Sequence, residues 1–237
     1  MSSFFSARFR EGAREAVGVP IAVLCAGYIG FGTLAADAGY SLTVTFFSTF
    51  VIWALPGQLV LNELYAVGAP LVAVVGAVSF TAIRLLPMTM TLMPWVRSPE
   101  HPTWRYYAAA HLVAMTTWAI TMRRAPDLPP GERLKFFVGF SAVCGSSCAT
   151  AGAVGYLLGH LVPHTVTLGL VFVTPLYFCV ILIGDARRRV MMLALACGAI
   201  AGPFIYRIDP QWSVLATGLI GGSIAYVLNR LIGGRRA

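Results

Sequence analysis

Charge is what this chain has least of. Only 11% of its 237 residues are Asp, Glu, Lys or Arg, whereas an ordinary soluble domain carries about 25%. A soluble protein of this length leaves roughly a third of its surface in water and needs charge to keep it there. The shortage excludes a soluble globule. Carboxylates are scarcer still, nine in all, and along the apolar stretches only Asp37 and Glu63 come into question. No nucleophile–base–acid grouping, phosphate loop or dinucleotide fingerprint is visible, so an enzyme is disfavoured and no cofactor is implied. A proton relay built on paired intramembrane carboxylates is disfavoured for the same reason. The five cysteines lie in apolar stretches without disulfide-like spacing. Cys144 and Cys148, one helical turn apart, read as packing residues before they read as a redox or metal pair. His160 and His164 share an i,i+4 spacing, but no Cys, Asp or Glu stands beside them to complete a metal site.

What is there is hydrocarbon, in long runs. Residues 16–36, 38–62, 64–83, 136–184 and 210–229 contain no Asp, Glu, Lys or Arg. About 20 apolar residues at 1.5 Å rise cross a hydrocarbon core of roughly 30 Å. The expected fold is therefore all-α, a single polytopic transmembrane bundle over residues 1–237. Its spans are expected at roughly 16–36, 42–66, 70–94, 105–122, 134–158, 164–183, 190–206 and 211–229. Pro94–Pro102 and Arg123–Lys135 read as loops, and Gly159, His160 and Pro163 divide the longest run.

The formal charge of +8 does not point to nucleic acid, because the basic residues sit in short clusters between apolar spans and not on one face. They orient the bundle instead. Eight spans with both termini inside put Arg8, Arg10, Arg14, the Arg123–Lys135 loop, Arg187–Arg189 and the C-terminal arginines in the cytoplasm. Arg97, Arg105 and Arg207 are left outside, and Arg84 falls within a span. Making 42–66 alone re-entrant would carry the Arg123–Lys135 loop outside and spoil the asymmetry.

A few residues do not belong in lipid. Arg84 is the sharpest, because its guanidinium keeps its charge and costs about 2.5–3.5 kcal/mol at a helix centre. It is expected to face a bundle interior or a wet cavity, either as docking point for an anionic group such as a substrate carboxylate or as a clamp on backbone carbonyls. The segment Trp53-Ala54-Leu55-Pro56-Gly57-Gln58, followed by Asn62 and Glu63, reads as a broken helix. Pro56 removes a helical hydrogen bond, and such breaks are tolerated in membranes where the freed groups line protein or water. Gln58 and Asn62 at i,i+4 share a face. Pro56, Gly57, Gln58, Asn62 and Arg84 are thus the candidate substrate-binding residues. Glu63, His111, Ser146, Thr150 and Pro175 are candidate pathway or structural positions. Further breaks are expected at Pro87, Pro94, Pro175 and Pro203, and Trp95, Trp104 and Trp212 read as interface anchors.

Taken in order, these features resemble the AzlC-type branched-chain amino acid permeases. The resemblance runs from Pro20, Gly27, Phe31 and Gly32 through Gln58 and Gly68-Ala69-Pro70 to Arg84-Leu85-Leu86-Pro87. It continues at His111, Trp118, Leu168-Gly169-Leu170-Val171-Phe172 and Pro175. It implies an exporter of small hydrophobic amino acids in the cytoplasmic (inner) membrane, acting with a small, roughly four-helix membrane partner of the AzlD type. The chain departs from the family at its acidic positions, where Ala114-Met115-Thr116 and Val171 stand, and at its Asn, which is Ala82 here. Two other readings stay open: a channel-like or accessory membrane subunit, and a permease for another small organic anion.

Overall fold

The computed structural model describes residues 7–159, 161–184, 189–208 and 213–233. His160, Arg187, Arg188, Trp212, Arg235 and Arg236 lie outside the described residues. All regular structure among the described residues is helical: α1 (Ala7–Ala16), α2 (Val19–Asp37), α3 (Leu42–Ile52), α4 (Leu55–Ala66), α5 (Leu71–Ala82), α6 (Leu85–Val96), α7 (Thr103–His111), α8 (Met115–Arg124), α9 (Pro130–Leu158), α10 (His164–Gly184), α11 (Arg189–Ile208) and α12 (Ser213–Gly233), with a short 3-10 turn at Ala125–Asp127. The chain divides into two compact units, Met1–Pro175 and Leu176–Ala237.

Within the first unit α9 is the axis. The helices α1 and α2 run beside it in the same direction, from Gly12 against the Phe136 backbone to Gly32 against Gly152. At the far end the Tyr156 hydroxyl donates to the Tyr40 carbonyl (2.7 Å). Any side chain at Gly32 or Gly155 would collide with the opposing backbone. Hydrocarbon supplies no hydrophobic drive between helices, so this close approach of small residues is what holds the pair. The span expected at 16–36 is α2, and a separate helix, α1, precedes it across the turn at Val17–Gly18. Helix α1 is charged and is pinned by ion pairs. Glu11 accepts from Arg8 (2.8 Å) and Arg124 (2.7 Å), and Glu132 from Arg8 (2.6 Å). Each pair is about a third exposed and contributes about 0–1 kcal/mol.

The segment expected as a straight span over 42–66 folds back on itself. Residues 48 and 58 would be about 15 Å apart on a continuous helix, yet the Gln58 amide donates to the Ser48 hydroxyl at 3.0 Å. The chain turns at Trp53, in left-handed conformation (φ 42°), and at extended Ala54. It returns to the end where it began, since Asn62 donates to the Leu34 carbonyl (3.2 Å) and Tyr65 packs on Tyr40 (4.5 Å between rings). Pro56 does not kink a helix here. It sits in the first turn of α4, where a missing N–H costs nothing.

The segment over 105–122 folds back in the same way, but from the opposite end. Arg133, at the start of α9, donates to the Trp95 carbonyl (3.1 Å), and His101 lies 3.1 Å from the Gly131 carbonyl. The loop before α7 is therefore at the same end as the loop after α8. Between them α7 runs inward, breaks over Leu112–Ala114 and returns as α8, whose Arg124 reaches Glu11 at that same end. The two straight spans expected at 42–66 and 105–122 are thus helical hairpins.

Among the described residues, α2 and α9 are individually long and apolar enough to cross a membrane, with α5 and α6 adding a third crossing if the pair is one span bent by 47°. That bend lies at Ile83–Arg84, the turn before Pro87: the proline ring crowds the carbonyl four residues back and has no N–H to give it, and the Ile83 carbonyl takes the Leu86 N–H instead (3.0 Å). Pro94, Pro175 and Pro203 lie inside α6, α10 and α11, which continue through them. In the second unit α11 and α12 pack through small residues, Gly221 on Gly198 and Gly202 near Thr217.

Two outcomes check this layout. Reporters fused after Glu100 and after Leu128 are expected on the same side of the membrane, and one after Gly68 on the other; eight straight spans would separate the first two. The hydrogen bond from Arg8 holds the Glu11 carboxyl below its ordinary value. Its contribution to α1 docking is therefore present above about pH 4.3 and lost as pH falls through the lowered value. Hydrogen exchange over residues 7–16 should accelerate on acidification, and the Glu11→Gln variant should show less of that change.

Candidate functional site

The two hairpins meet tip to tip. The Trp53 indole N–H donates to the Leu112 carbonyl at 2.9 Å, and His111 Nε2 lies 2.6 Å from the Phe50 carbonyl. A carbonyl only accepts, so His111 carries its proton on Nε2. Each tip thereby fills the free carbonyl of the other. Both carbonyls are free because the helices break: Phe50 and Leu112 would otherwise take the N–H groups of Ala54 and Thr116. The Thr117 hydroxyl closes the second tip, accepting from the Ala114 N–H (2.8 Å) and lying 3.1 Å from the Leu112 carbonyl.

The helices that meet at this junction are short. The half-helices α3, α4, α7 and α8 have 11, 12, 9 and 10 residues, or about 14–18 Å each at 1.5 Å rise. That is about half the hydrocarbon thickness. The Trp53 ring is 8% exposed and lies over Gly145 of α9, where a side chain would collide with it. Glycine at 145 is thus the seat of the first tip.

Gln58 stands one turn behind that tip with 0% exposure. Its amide N–H groups go to Ser48 (3.0 Å) and Thr49 (3.2 Å), and its Oε1 has no partner among the described residues. Asn62 repeats the pattern a turn further on, donating to the Leu34 carbonyl and leaving Oδ1 unpartnered. Gly57 is buried against Thr81 and Val78 of α5, while Pro56 and Glu63 are exposed.

Arg84 begins α6 at the bend. It lies three residues beyond Thr81, about 4.5 Å of helix, hence at the depth of the Trp53 tip. The expectation was a bundle interior or a wet cavity; Arg84 is exposed at the bend, on the surface of this chain. It makes no hydrogen bond or ion pair with the described residues. Ser146 and Thr150 also lie on an exposed face, where their hydroxyls donate to the carbonyls of Ala142 and Ser146 in their own helix (2.8 Å each). Pro175 is exposed next to buried Thr174, whose hydroxyl approaches Gly27. Cys144 and Cys148 are buried free thiols. The structure therefore brings Gln58, His111 and the Trp53 turn to one place and sets Ser146, Thr150 and Pro175 apart from it.

The fold-back over 105–122 and the role of Trp53 were missed by sequence reasoning. The signal that pointed to the first was the pair Arg97 and Arg105, stranded outside by eight straight spans.

The profile of the family described as AzlC protein matches residues 20–162, over half of the chain and all of both hairpins. The chain belongs to the AzlC family. AzlC proteins are membrane proteins of transport, a family of permeases. No curated protein and no solved structure matches the chain. The segment Ala114-Met115-Thr116, which stands where the family resemblance places acidic residues, forms the outgoing half of the second tip in this AzlC protein.

Gly145→Val should displace the Trp53 ring, separate the tips and lower the thermal unfolding midpoint by an amount equivalent to about 1–3 kcal/mol. Gly76→Val, at an open position, is the control and should change it little. Equal midpoints for the two variants would show that the ring is not seated on Gly145.

Proposed function

We propose that this AzlC protein is a secondary transporter exporting branched-chain or similar small hydrophobic amino acids across the cytoplasmic membrane. The observation that carries the reading is the tip-to-tip junction of two helical hairpins that enter from opposite ends of the first unit, with half-helices about half a hydrocarbon thickness long. Discontinuous helices are tolerated in hydrocarbon where their free backbone groups are buried or line a cavity, and transporters bind solutes at such ends.

The proposed topology has six crossings and two re-entrant hairpins, α3–α4 from outside and α7–α8 from inside. The crossings are α2, the bent α5–α6 pair, α9, α10, α11 and α12, with both termini in the cytoplasm. Arg97 and Arg105 then move inside. Fifteen of the 17 Lys and Arg residues are cytoplasmic, Arg207 alone is outside and Arg84 is in the membrane. The positive-inside rule favours this over eight spans, because two hairpins of opposite entry leave the Arg123–Lys135 loop where it was.

Arg84 is the proposed docking point for the solute carboxylate. It is the one Lys or Arg at tip depth, and its planar fork takes a carboxylate through two parallel bonds. On the molecular surface it also needs a cover, since a bare guanidinium against lipid is costly. A small AzlD-type partner packed on the α5–α6 face would close the cavity around it.

Initial rates of leucine counterflow in proteoliposomes, with and without the partner, test the reading. Arg84→Lys keeps the charge but loses the fork, so transport should fall about tenfold or more at matched amounts of folded protein. Arg84→Gln should abolish it. Unchanged apparent affinity and maximal rate in Arg84→Lys would remove the carboxylate role, and conductance without saturation would favour a channel.

A further inference from the structure

The hairpin tips are rich in acceptors that the fold satisfies only provisionally. The Phe50 carbonyl lies in the last turn of α3 and the Leu112 carbonyl follows the last turn of α7. Each is a negative helix end, worth about half an elementary charge, and the two helices point these ends at one junction from opposite sides. Neither carbonyl has its helical donor; each is held instead by a side chain of the opposing hairpin, His111 or Trp53, and the Thr117 hydroxyl also lies 3.1 Å from the Leu112 carbonyl. Beside them Gln58 is bonded to Thr49, the residue before Phe50, and its fully buried Oε1 is empty-handed among the described residues. A buried amide oxygen without a donor is unfavourable, so a ligand that supplies N–H groups gains by meeting it.

We propose that these tips form the ammonium subsite of the transported solute. The Phe50 and Leu112 carbonyls and Gln58 Oε1 take the three N–H donors of a primary ammonium when Trp53 and His111 release the two carbonyls. The proposal rests on the amino-acid transport reading above and deepens it by naming what recognises the amine in a chain with almost no intramembrane carboxylate. Carbonyl dipoles and one amide replace the missing negative charge. The Trp53 and His111 N–H groups act as stand-ins for the ligand: they keep the carbonyls bonded when the site is empty, and they must be displaced for it to fill. Selection follows from this arrangement, because a solute of the same shape without an amine offers no donors to the two carbonyls or to the buried Gln58 Oε1.

Binding to the purified full-length protein, followed by thermal shift, tests the subsite without requiring transport. The probes are isoamylamine, which has the ammonium and the branched chain but no carboxylate, isovalerate, which has the reverse, and leucine. Isoamylamine should stabilise the wild type and isovalerate should do so much less. Trp53→Phe keeps a ring over Gly145 but removes the competing N–H, so isoamylamine should bind about two- to tenfold more tightly. Gln58→Leu should weaken it by a similar factor. Should that variant fail to fold, Trp53→Phe decides alone: unchanged or weaker amine binding overturns the proposal. So does stabilisation by sodium chloride over choline chloride with no effect of isoamylamine, which would make the acceptors an ion site. Isoamylamine binding by a protein that moves no leucine would sink the transport reading and leave the subsite standing.

Discussion

Every backbone N–H and C=O within a bilayer must find a partner inside the protein, because hydrocarbon offers none. In the first unit this requirement bears on three helix interruptions, at Trp53–Ala54, Ile83–Arg84 and Leu112–Ala114. Two of them are solved jointly. The broken ends of α3 and α7 are exchanged between hairpins, with an indole on one carbonyl and an imidazole on the other. Thr117 meets part of the need of the second tip from within its own hairpin, whereas the Phe50 carbonyl takes its side-chain partner from the other hairpin. The third interruption is milder: a bent helix keeps most of its bonds, and the Leu86 N–H reaches back to the Ile83 carbonyl.

The junction depends in turn on a scaffold that lets backbones come close. Glycines along α9 admit α1 and α2 on one side and the Trp53 ring at Gly145. These are packing contacts with no directional preference, and they set position. The polar bonds of Gln58, His111 and Trp53 then set register, since a shift of one residue along either hairpin would orphan a buried group. Rigid placement by glycine packing and register by hydrogen bonds together bring the ends of four half-helices, with opposed dipoles, to one depth. Such a place can hold both ends of a zwitterion: helix C-termini favour the cation and N-termini the anion.

Arg84 belongs to the same level but not to the same surroundings. Its helix neighbours are apolar and exposed, including Ile83 and Leu86. A permanent charge at this depth without a counter-group marks the α5–α6 face as one that lipid cannot cover cheaply. That face and the tip junction lie against different neighbours of α4, which meets α5 through Gly57 and reaches α9 through the Trp53 turn before it. A solute contacting both would extend past the first turn of α4.

Much was determined by the sequence itself. The dearth of charge and the apolar runs fixed a helical membrane protein, Pro56 and Pro87 fixed breaks to within a turn, and ordered motifs fixed the family. Gln58 stood out because an amide in an apolar run must find a partner. Direction of travel after each break was not legible. A 25-residue apolar run reads alike whether it crosses the membrane or turns back halfway, since hydropathy records burial and not direction. Trp53 in left-handed conformation and Thr117 closing a tip are local events whose outcome depends on the helix packed opposite. Only the tertiary structure could decide that Arg133 reaches Trp95 and that His101 reaches Gly131, because these bonds join residues 30 or more positions apart. Those bonds turn the apparent span at 105–122 into a hairpin and give Arg97 and Arg105 their place.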